Sequence, residues 1–295
     1  MLTSFEQVKD KAKGSKKRLV VADAASRSVI EALTQACEAG MISPVLVGDR
    51  AKIEPLVAEF GLKDARIVHE TDEVAIAQKS VELIRNKEAD MLMKGKVSTP
   101  ILMKAVLDKE KGLRKGDMLS HVAAMEVKGY PKLMLVTDGG IVINPDLNEK
   151  VGLIANAVTV ARGIGAEIPK IACLAAIEQI TEKQPETLHA AELVKMCERG
   201  QLGKIMVEGP VAMDVLLSRE AAKTKGIESE MTLDADIVIA PNIATANVTV
   251  KALIYLAGAK VGGLVMGATC PIVLLSRSDT AEIKLCSIAL ACVIS

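Results

Sequence analysis

Short apolar runs alternate with longer amphipathic segments along almost the whole chain, and this alternation restricts the possible folds more than any other feature. The apolar runs are continuous and rich in β-branched residues, which is typical of strands that are covered on both faces. Segments 72–86 and 185–198 show the helical spacing of apolar residues between such strands. The alternation therefore predicts an α/β fold built on a parallel sheet with right-handed crossovers.

The predicted elements follow this pattern along the chain. The predicted strands lie at 18–22, 44–47, 65–68, 89–94, 133–137, 141–143, 170–175, 204–207, 236–240, 260–265 and 271–275. The predicted helices include 27–39, 72–86, 146–164, 185–198 and 244–257.

One segment, 120–144, departs from the alternation, because its strand-like runs are separated only by turn residues. We expect antiparallel strands there, near a crossing between two α/β domains. A chain of 295 residues is long enough for two domains. The sequence predicts a first domain of 1–133 that is completed by 271–295, and a second domain of 134–270.

Composition excludes several classes of protein. Basic and acidic residues number 37 each, and the aromatic residues are two tyrosines and two phenylalanines, so we expect no surface for nucleic acid. No uncharged apolar run reaches the roughly 18 residues of a membrane helix, and the Lys-rich segment 1–17 lacks a signal-peptide core. Six cysteines without a C-x-x-C pair predict reduced thiols and no metal site. We expect a cytoplasmic protein.

Ligands of parallel α/β sheets bind at the carboxyl ends of the strands, so the loops after the strands hold the candidate site residues. The loop after strand 89–94 is the first such loop, and Thr99 is predicted to be the N-cap of the helix that follows it. Its lysines and hydroxyls beside a helix N-terminus favour an anion such as phosphate. A capped turn with solvated lysines is the alternative. The candidate residues of this loop are Lys94, Gly95, Lys96, Ser98 and Thr99.

A second candidate loop begins at Asp138, which is followed by a Gly-Gly pair that suits either a hairpin turn or the close approach of a ligand. Asn144 precedes a proline at the end of strand 141–143 and is a candidate for ligand binding. Asp146 and Glu149 have the spacing of a capping box, which favours a structural role for them.

A third group of candidates follows strand 236–240. Asn242 lies in the loop, and Asn247 and Lys251 are four residues apart in a predicted helix, so both side chains project from one helix face. They are either ligand-binding groups or an ordinary surface pair.

The loop after the last predicted strand carries the sharpest set of candidates: Ser276, Arg277, Asp279 and Glu282. Ser278 or Asp279 is predicted to cap the last helix, and Glu282 is predicted to lie in the first turn of that helix. Capping does not explain Arg277, because a cation is unfavourable at a helix N-terminus. A planar guanidinium group there suits an anionic ligand.

Four segments together carry a resemblance to a known family: MLMKGKVSTPILMKAVL at 91–107, VTDGGIVINPDLNEKVGLIANAV at 136–158, APNIATANVTVKAL at 240–253 and VMGATCPIVLLSRSDTAEIK at 265–284. Through these segments the chain resembles the phosphate acetyl/butyryltransferase family, and its butyryl-transferring members most of all. The resemblance implies two parallel-sheet α/β domains of the isocitrate/isopropylmalate dehydrogenase-like architecture, with a cleft between them. It also implies a homodimer or larger homo-oligomer.

The resemblance further implies reversible transfer of a short acyl group, butyryl in particular, between coenzyme A and phosphate in a ternary complex. Coenzyme A and phosphate are both substrates, and the resemblance implies no tightly bound cofactor and no metal. Ser276 and Arg277 fall where the family contacts the reacting groups. The base for the CoA thiol falls on Glu282, with Asp279 as the alternative, because the loop of the acetyl-transferring members is one residue longer. A phosphate acetyltransferase and a non-catalytic two-lobed protein that binds acyl-CoA or phosphate remain the alternative functions.

Overall fold

The computed structural model describes residues 1–116, 118–276 and 279–295. It confirms the α/β class, because strands and helices alternate along the chain. The contacts within the chain divide it into two compact units. The first unit comprises Glu6–Leu119 and Gly262–Ser295, and the second comprises Met1–Phe5 and Ser120–Val261.

The strands of the first unit are mostly parallel, and most of their side chains are buried, except in the edge strand Arg66–His69. They are β1 (Lys17–Ala22), β2 (Ile42–Gly48), β3 (Arg66–His69), β4 (Met91–Lys94), β10 (Lys260–Met266) and β11 (Ile272–Val273). Their order is β3-β2-β1-β4-β11 with parallel pairing, and β10 pairs antiparallel with β11. All four residues of β4 are buried, which is why such strands read as continuous apolar runs.

The helices of the first unit begin at polar caps or follow tight turns. They are α1 (Phe5–Ala12), α2 (Arg27–Glu38), α3 (Arg50–Phe60), α4 (Glu73–Arg85), α5 (Thr99–Val106) and α11 (Ala281–Ile294). The Asp49 and Asp72 carboxylates accept backbone N–H groups in the first turns of α3 and α4. The C-terminal helix α11 contacts α2, and most of its residues are buried.

The strands of the second unit combine one antiparallel pair with a parallel set. They are β5 (Ser120–Glu126), β6 (Met134–Thr137), β7 (Lys170–Leu174), β8 (Met206–Val211) and β9 (Ile237–Ile239). Their order is β5-β6-β9-β7-β8, with β5 antiparallel to β6 and parallel pairing elsewhere.

The helices of the second unit include the predicted capping box. They are α6 (Leu147–Gly163), α7 (Pro185–Glu198), α8 (Met213–Leu217), α9 (Arg219–Thr224) and α10 (Ile243–Ala257). At the start of α6 the Asp146 carboxylate accepts the Glu149 N–H at 2.8 Å, and the Glu149 carboxylate accepts the Asp146 N–H at 2.9 Å. This capping box is therefore confirmed.

The irregular segment 120–144 was predicted correctly in its first part only. The antiparallel pair is confirmed by β5 and β6, in which Ala123 lies opposite Val136. The strand predicted at 141–143, and with it the hairpin at 138–140, is wrong. The backbone N–H groups of residues 140–142 donate to the Asp138 carboxylate instead of to a neighbouring strand.

The compact units change at 119/120 and 261/262, whereas the predicted domains change at 133/134 and 270/271. The pairing of β5 with β6 explains why residues 120–133 belong with the second unit. The pairing of β10 with β11 likewise groups residues 262–270 with the first.

No helix in the described part of the chain is both long enough and apolar enough to cross a membrane. All six cysteines are free thiols, and four of them are buried. Burial raises the pKa of the Cys173 thiol to about 12, so this thiol stays protonated at neutral pH.

Candidate active site

A cavity of about 180 Å³ opens in the first unit, beside the loops that follow β1, β4 and β11. Among its described lining residues are three lysines and no carboxylate side chain, so its walls carry excess positive charge. The lining residues are Ser26, Ser28, Val29, Lys94, Gly95, Lys96, Leu275, Ser276 and Lys284.

Lys94 is the last residue of β4, and its side chain is almost fully buried. Its ammonium group donates to the backbone oxygens of Gly95 at 3.3 Å and Val97 at 3.4 Å. The loop after β4 therefore folds around the ammonium group. The excess of lysines over carboxylates among the described lining residues favours an anionic ligand in the cavity.

Gly95 allows the loop after β4 to pack closely against the end of β1. The N–H groups of Gly95 and Lys96 donate to the oxygens of Ala22 and Asp23, each at 2.8 Å. A Cβ atom on residue 95 would lie 2.0 Å from the Asp23 oxygen, which no side chain can do. Glycine is thus required for the close approach that brings Lys96 to the cavity.

Lys284, near the start of α11, lines the same cavity but was missed by the sequence analysis. Its side chain is buried, and its ammonium group donates to the backbone oxygen of Asp279. Burial lowers the pKa of Lys284 from its usual 10.5, with the Asp279 charge acting in the opposite direction. In the sequence Lys284 resembles any helical lysine, and only its burial in this cavity distinguishes it.

The start of α2 contributes two serines that the sequence analysis also missed: Ser26 is the N-cap of this helix, and Ser28 lies in its first turn. The hydroxyl oxygens of Ser26 and Ser28 lie 3.4 Å apart at the cavity. A signal for them was present, because both lie within six residues of the end of predicted strand 18–22 and ligands bind after strands.

The loop after β11 carries the predicted catalytic residues. Ser276 lines the cavity, and its backbone N–H donates to the Asp279 carboxylate at 2.8 Å. Asp279 thus holds Ser276 in place. Glu282 is exposed, does not line the cavity, and makes no hydrogen bond or ion pair with the residues that the structure describes. Arg277 lies outside the described residues.

The cap of α11 differs from the prediction by one residue. Thr280 is the N-cap, and its hydroxyl accepts the Ile283 N–H at 3.3 Å. Capping by Asp279 is therefore wrong, because the Asp279 carboxylate is turned back to Ser276. Ser278, the other predicted cap, lies outside the described residues. Glu282 lies in the first turn of α11, as predicted.

The predicted cap of α5 is also displaced by one residue. Thr99 is already helical, and Ser98 is the N-cap without a side-chain cap hydrogen bond. The Ser98 N–H instead donates to the Glu73 carboxylate of α4 at 2.5 Å. Neither Ser98 nor Thr99 is among the cavity residues that the structure describes.

In the second unit, the Asp138 carboxylate is buried and already occupied by backbone donors. It accepts the N–H groups of His121 at 2.9 Å, Gly140 at 2.7 Å, Ile141 at 2.9 Å and Val142 at 3.3 Å. These bonds give Asp138 a structural role, because they close the loop between β6 and α6.

The other second-unit candidates lie on or near α10, apart from Asn144, which is exposed in the loop before α6. The Asn242 side chain accepts the Thr245 N–H at 2.9 Å and so caps α10. The Asn247 amide donates to the Gly139 oxygen at 3.0 Å.

Lys251 lies one turn after Asn247 in α10, so their predicted placement on one helix is confirmed. The Lys251 ammonium group lies 5.9 Å from the centre of the Tyr255 ring.

Comparison with known sequences gives a consistent set of relatives. A family model described as phosphate acetyl/butaryl transferase matches residues 63–292. A phosphate butyryltransferase from Clostridium acetobutylicum is 42% identical over 298 residues, covering 100% of this chain and 99% of the relative. A phosphate acetyltransferase from Thermotoga maritima is 42% identical over 293 residues, covering 98% of this chain and 99% of the relative.

Solved structures agree with the sequence comparison. A branched-chain phosphotransacylase from Enterococcus faecalis V583 superposes with a TM-score of 0.84 at 30% identity, covering 94% of this chain and 98% of that one. A 4-hydroxythreonine-4-phosphate dehydrogenase from Klebsiella pneumoniae superposes with a TM-score of 0.60 at 12% identity, covering 95% and 99%. The second likeness is one of fold alone.

Proposed function

Because the chain belongs to the phosphate acetyl/butaryl transferase family and is an acyltransferase, we propose that it transfers a butyryl group between coenzyme A and inorganic phosphate. The observation that carries this proposal is the small cavity with Lys94, Lys96 and Lys284 in its walls and no carboxylate among its described lining residues. A phosphate dianion complements the excess of lysine ammonium groups in these walls.

Ser276 and the lysines have complementary roles in the proposed reaction. A phosphate oxygen attacks the thioester carbonyl carbon, the C–O bond forms, and the carbonyl oxygen becomes an oxyanion. The Ser276 hydroxyl donates a hydrogen bond to that oxyanion, and the lysines position the phosphate. Arg277, whose structure is not described, is proposed as a further cation for the phosphate on the strength of its sequence position.

The leaving thiolate of coenzyme A takes a proton when the C–S bond breaks. We propose that the Glu282 carboxylate takes up the proton that hydrogen phosphate loses on attack and passes it to the thiolate, and that it removes the thiol proton in the reverse direction. The exposed Glu282 carboxylate has no partner among the described residues, whereas that of Asp279 holds the Ser276 backbone. Asp279 is therefore proposed as a positioning residue.

The domain architecture, the location in the cell, the cofactor requirement and further substrate-binding residues are also proposals. The two compact units are taken to be the two domains of an isocitrate/isopropylmalate dehydrogenase-like architecture, and the cleft between domains stays a prediction. Location in the cytoplasm and the lack of a tightly bound cofactor also stay predictions. Asn144, Asn247 and Lys251 remain candidate substrate-binding residues.

A homodimer or larger assembly is also proposed, and the surface of α10 supports it. Leu256 is 88% exposed, and Val248 and Tyr255 are each about two-thirds exposed. Apolar side chains grouped on one surface helix are typical of an interface.

The proposed function is tested by mixing the purified protein with butyryl-CoA and phosphate and measuring the release of free thiol. Release that depends on phosphate is expected, with formation of butyryl phosphate. Acetyl-, propionyl- and isobutyryl-CoA in parallel assays identify the preferred acyl group, and a preference for acetyl-CoA would replace butyryl transfer by acetyl transfer. Binding of acyl-CoA without any turnover would refute the enzyme proposal.

A further inference from the structure

Lys284 combines burial with access to the cavity beside the loops after β4 and β11. Its side chain is only 5% exposed, yet it is one of the residues that line this cavity. It makes no ion pair with any residue that the structure describes, and the backbone oxygen of Asp279 accepts its hydrogen bond. A buried lysine of this kind is a nucleophile once its ammonium group has lost a proton.

Asp279 connects Lys284 to the residue that is proposed to bind the reacting carbonyl group. The Lys284 ammonium group donates to the backbone oxygen of Asp279, and the Ser276 N–H donates to the Asp279 carboxylate at 2.8 Å. The Asp279 N–H also donates to the Ser276 oxygen at 3.2 Å. A carbonyl group that accepts a hydrogen bond from the Ser276 hydroxyl therefore lies in the same small cavity as the Lys284 side chain.

Burial also favours the uncharged form of the Lys284 side chain. It lowers the pKa of Lys284 from its usual 10.5, against the opposing effect of the Asp279 charge. A larger fraction of this side chain is therefore free amine at a given pH. Lys94, the other buried lysine of the cavity, differs because its ammonium group donates to two backbone oxygens, those of Gly95 and Val97. Loss of its proton weakens both of these hydrogen bonds.

We propose that Lys284 is a site of self-acylation, at which the acyl phosphate formed in the cavity transfers its acyl group to the lysine side chain. This inference rests on the proposed function, because that reaction supplies the acyl phosphate. The neutral Lys284 amine attacks the carbonyl carbon, the N–C bond forms, and the C–O bond to phosphate breaks. Phosphate leaves with the electron pair of that bond and takes up the proton that the nitrogen loses. The products are an amide and hydrogen phosphate, and no further reactant is needed.

Acylation changes both the charge and the shape of the cavity. The amide of Lys284 carries no charge, so one of the three cations proposed to bind phosphate is lost. The attached acyl chain also occupies space in the cavity. The modification therefore lowers the activity of the protein when acyl phosphate accumulates and no coenzyme A is present to take the acyl group back.

The test uses the purified protein and synthetic butyryl phosphate without coenzyme A, followed by digestion with trypsin and mass spectrometry. Trypsin cleaves after Arg277 and after unmodified Lys284, which releases peptide 278–284. It does not cleave after an acylated lysine, so acylation of Lys284 yields peptide 278–295 with one added butyryl group. Lys63 and Lys109 are internal controls, because they are exposed lysines of the same unit that do not line the cavity.

Lys284 is expected to be acylated at least about tenfold faster than Lys63 and Lys109, because the cavity holds the acyl donor beside its amine. A large excess of inorganic phosphate, which competes for the cavity, should slow acylation of Lys284 but not of the two control lysines. In protein unfolded with guanidinium chloride the three lysines should react at similar rates. Equal rates in the folded protein would overturn the proposal.

Lys284→Arg separates acylation of this residue from other effects of the reagent. Arginine keeps the positive charge and offers no lysine amine for acylation. After incubation with butyryl phosphate and removal of the reagent, the wild type should have a KM for phosphate about tenfold above its starting value. The KM of Lys284→Arg should stay at that variant's own starting value. An equal rise in both proteins would overturn the effect assigned to Lys284.

Synthetic butyryl phosphate also separates this inference from the proposed function. Transfer of the butyryl group to coenzyme A, with Lys284 unmodified after incubation without coenzyme A, would overturn self-acylation and leave the proposed function in place. Selective acylation of Lys284 without any transfer to coenzyme A would support the acylation site and refute the proposed function.

Discussion

At the scale of single residues, the buried lysines Lys94 and Lys284 distinguish the cavity beside the loops after β4 and β11 from an ordinary loop surface. Each ammonium group donates to a backbone carbonyl of the adjacent loop and so helps to hold that loop in place. Three lysines and no carboxylate among the described lining residues are the basis for proposing a dianion as the ligand of this cavity.

The lowered pKa of Lys284 predicts how phosphate binding depends on pH. A lysine whose pKa lies below 10.5 in the folded protein loses its charge as the pH rises through that lowered value. Phosphate is a dianion throughout that range, so its affinity should fall on the alkaline side. The KM for phosphate, measured from neutral pH to about pH 10, should therefore rise.

Two variants of Lys284 separate its charge from its bulk. Lys284→Arg keeps a cation that does not titrate in this range, so the alkaline rise in the KM for phosphate should disappear. Lys284→Met should raise this KM at every pH, and without a pH dependence. An unchanged KM in Lys284→Met would show that Lys284 does not contact phosphate.

Substitution of the two acids of the loop after β11 tests which one exchanges the thiol proton. Glu282→Gln should lower kcat by about 100-fold in the direction that consumes coenzyme A, the magnitude typical of a general base. Asp279→Asn should lower kcat/KM by less, about tenfold, because the amide oxygen can still accept the Ser276 N–H. The reverse order of effects would assign the base to Asp279.

At the scale of elements, the close contact between the loop after β4 and the end of β1 determines where the cavity forms. Gly95→Ala would place a Cβ atom against the Asp23 oxygen, so the loop must move. We expect a loss of about 1–3 kcal/mol in the free energy of unfolding, measured with urea, and a higher KM for phosphate. Gly116→Ala is the matched control, because no atom lies within 4 Å of its added Cβ. Equal stability of the two variants would contradict this account.

The elements themselves were largely predictable from local pattern. Apolar periodicity located β4, α7 and α10 to within two residues, because burial on both faces of a strand or on one face of a helix leaves a direct trace in the sequence. The caps at Ser98 and Thr280 were missed by one residue, since neighbouring serines and threonines are equally good caps. Segment 141–143 resembles a strand, but the Asp138 carboxylate binds the N–H groups that a strand would need.

At the scale of the whole molecule, balanced composition conceals an uneven distribution of charge. Basic and acidic residues are equal in number, yet the lysines of the cavity beside the loop after β4 face no carboxylate among its described lining residues. A groove between α4 and α5 has three more cations, Arg85, Lys104 and Lys111, without an ion pair in the described chain. An anionic substrate is attracted by these local excesses, and the net charge of the chain does not reveal them.

The candidate site was only partly predictable. Lys94, Gly95, Lys96 and Ser276 line the cavity as the strand-end rule suggested. Asp138 met the same rule but closes its own loop, because backbone donors surround its carboxylate. Short-range pattern cannot tell these cases apart, since it contains no information on which N–H groups a carboxylate meets.

The amino-acid sequence by itself determined the α/β class, the main strands and helices, the α6 capping box and the family. Each of these features depends on residues that are near one another in the sequence: on the periodicity of apolar residues, on the spacing of cap residues or on a family motif. Only the tertiary structure decided that Lys284 shares a cavity with Lys94 and that α4 and α5 enclose a cationic groove. These features arise between residues far apart in the chain, where packing alone determines which charges are buried together.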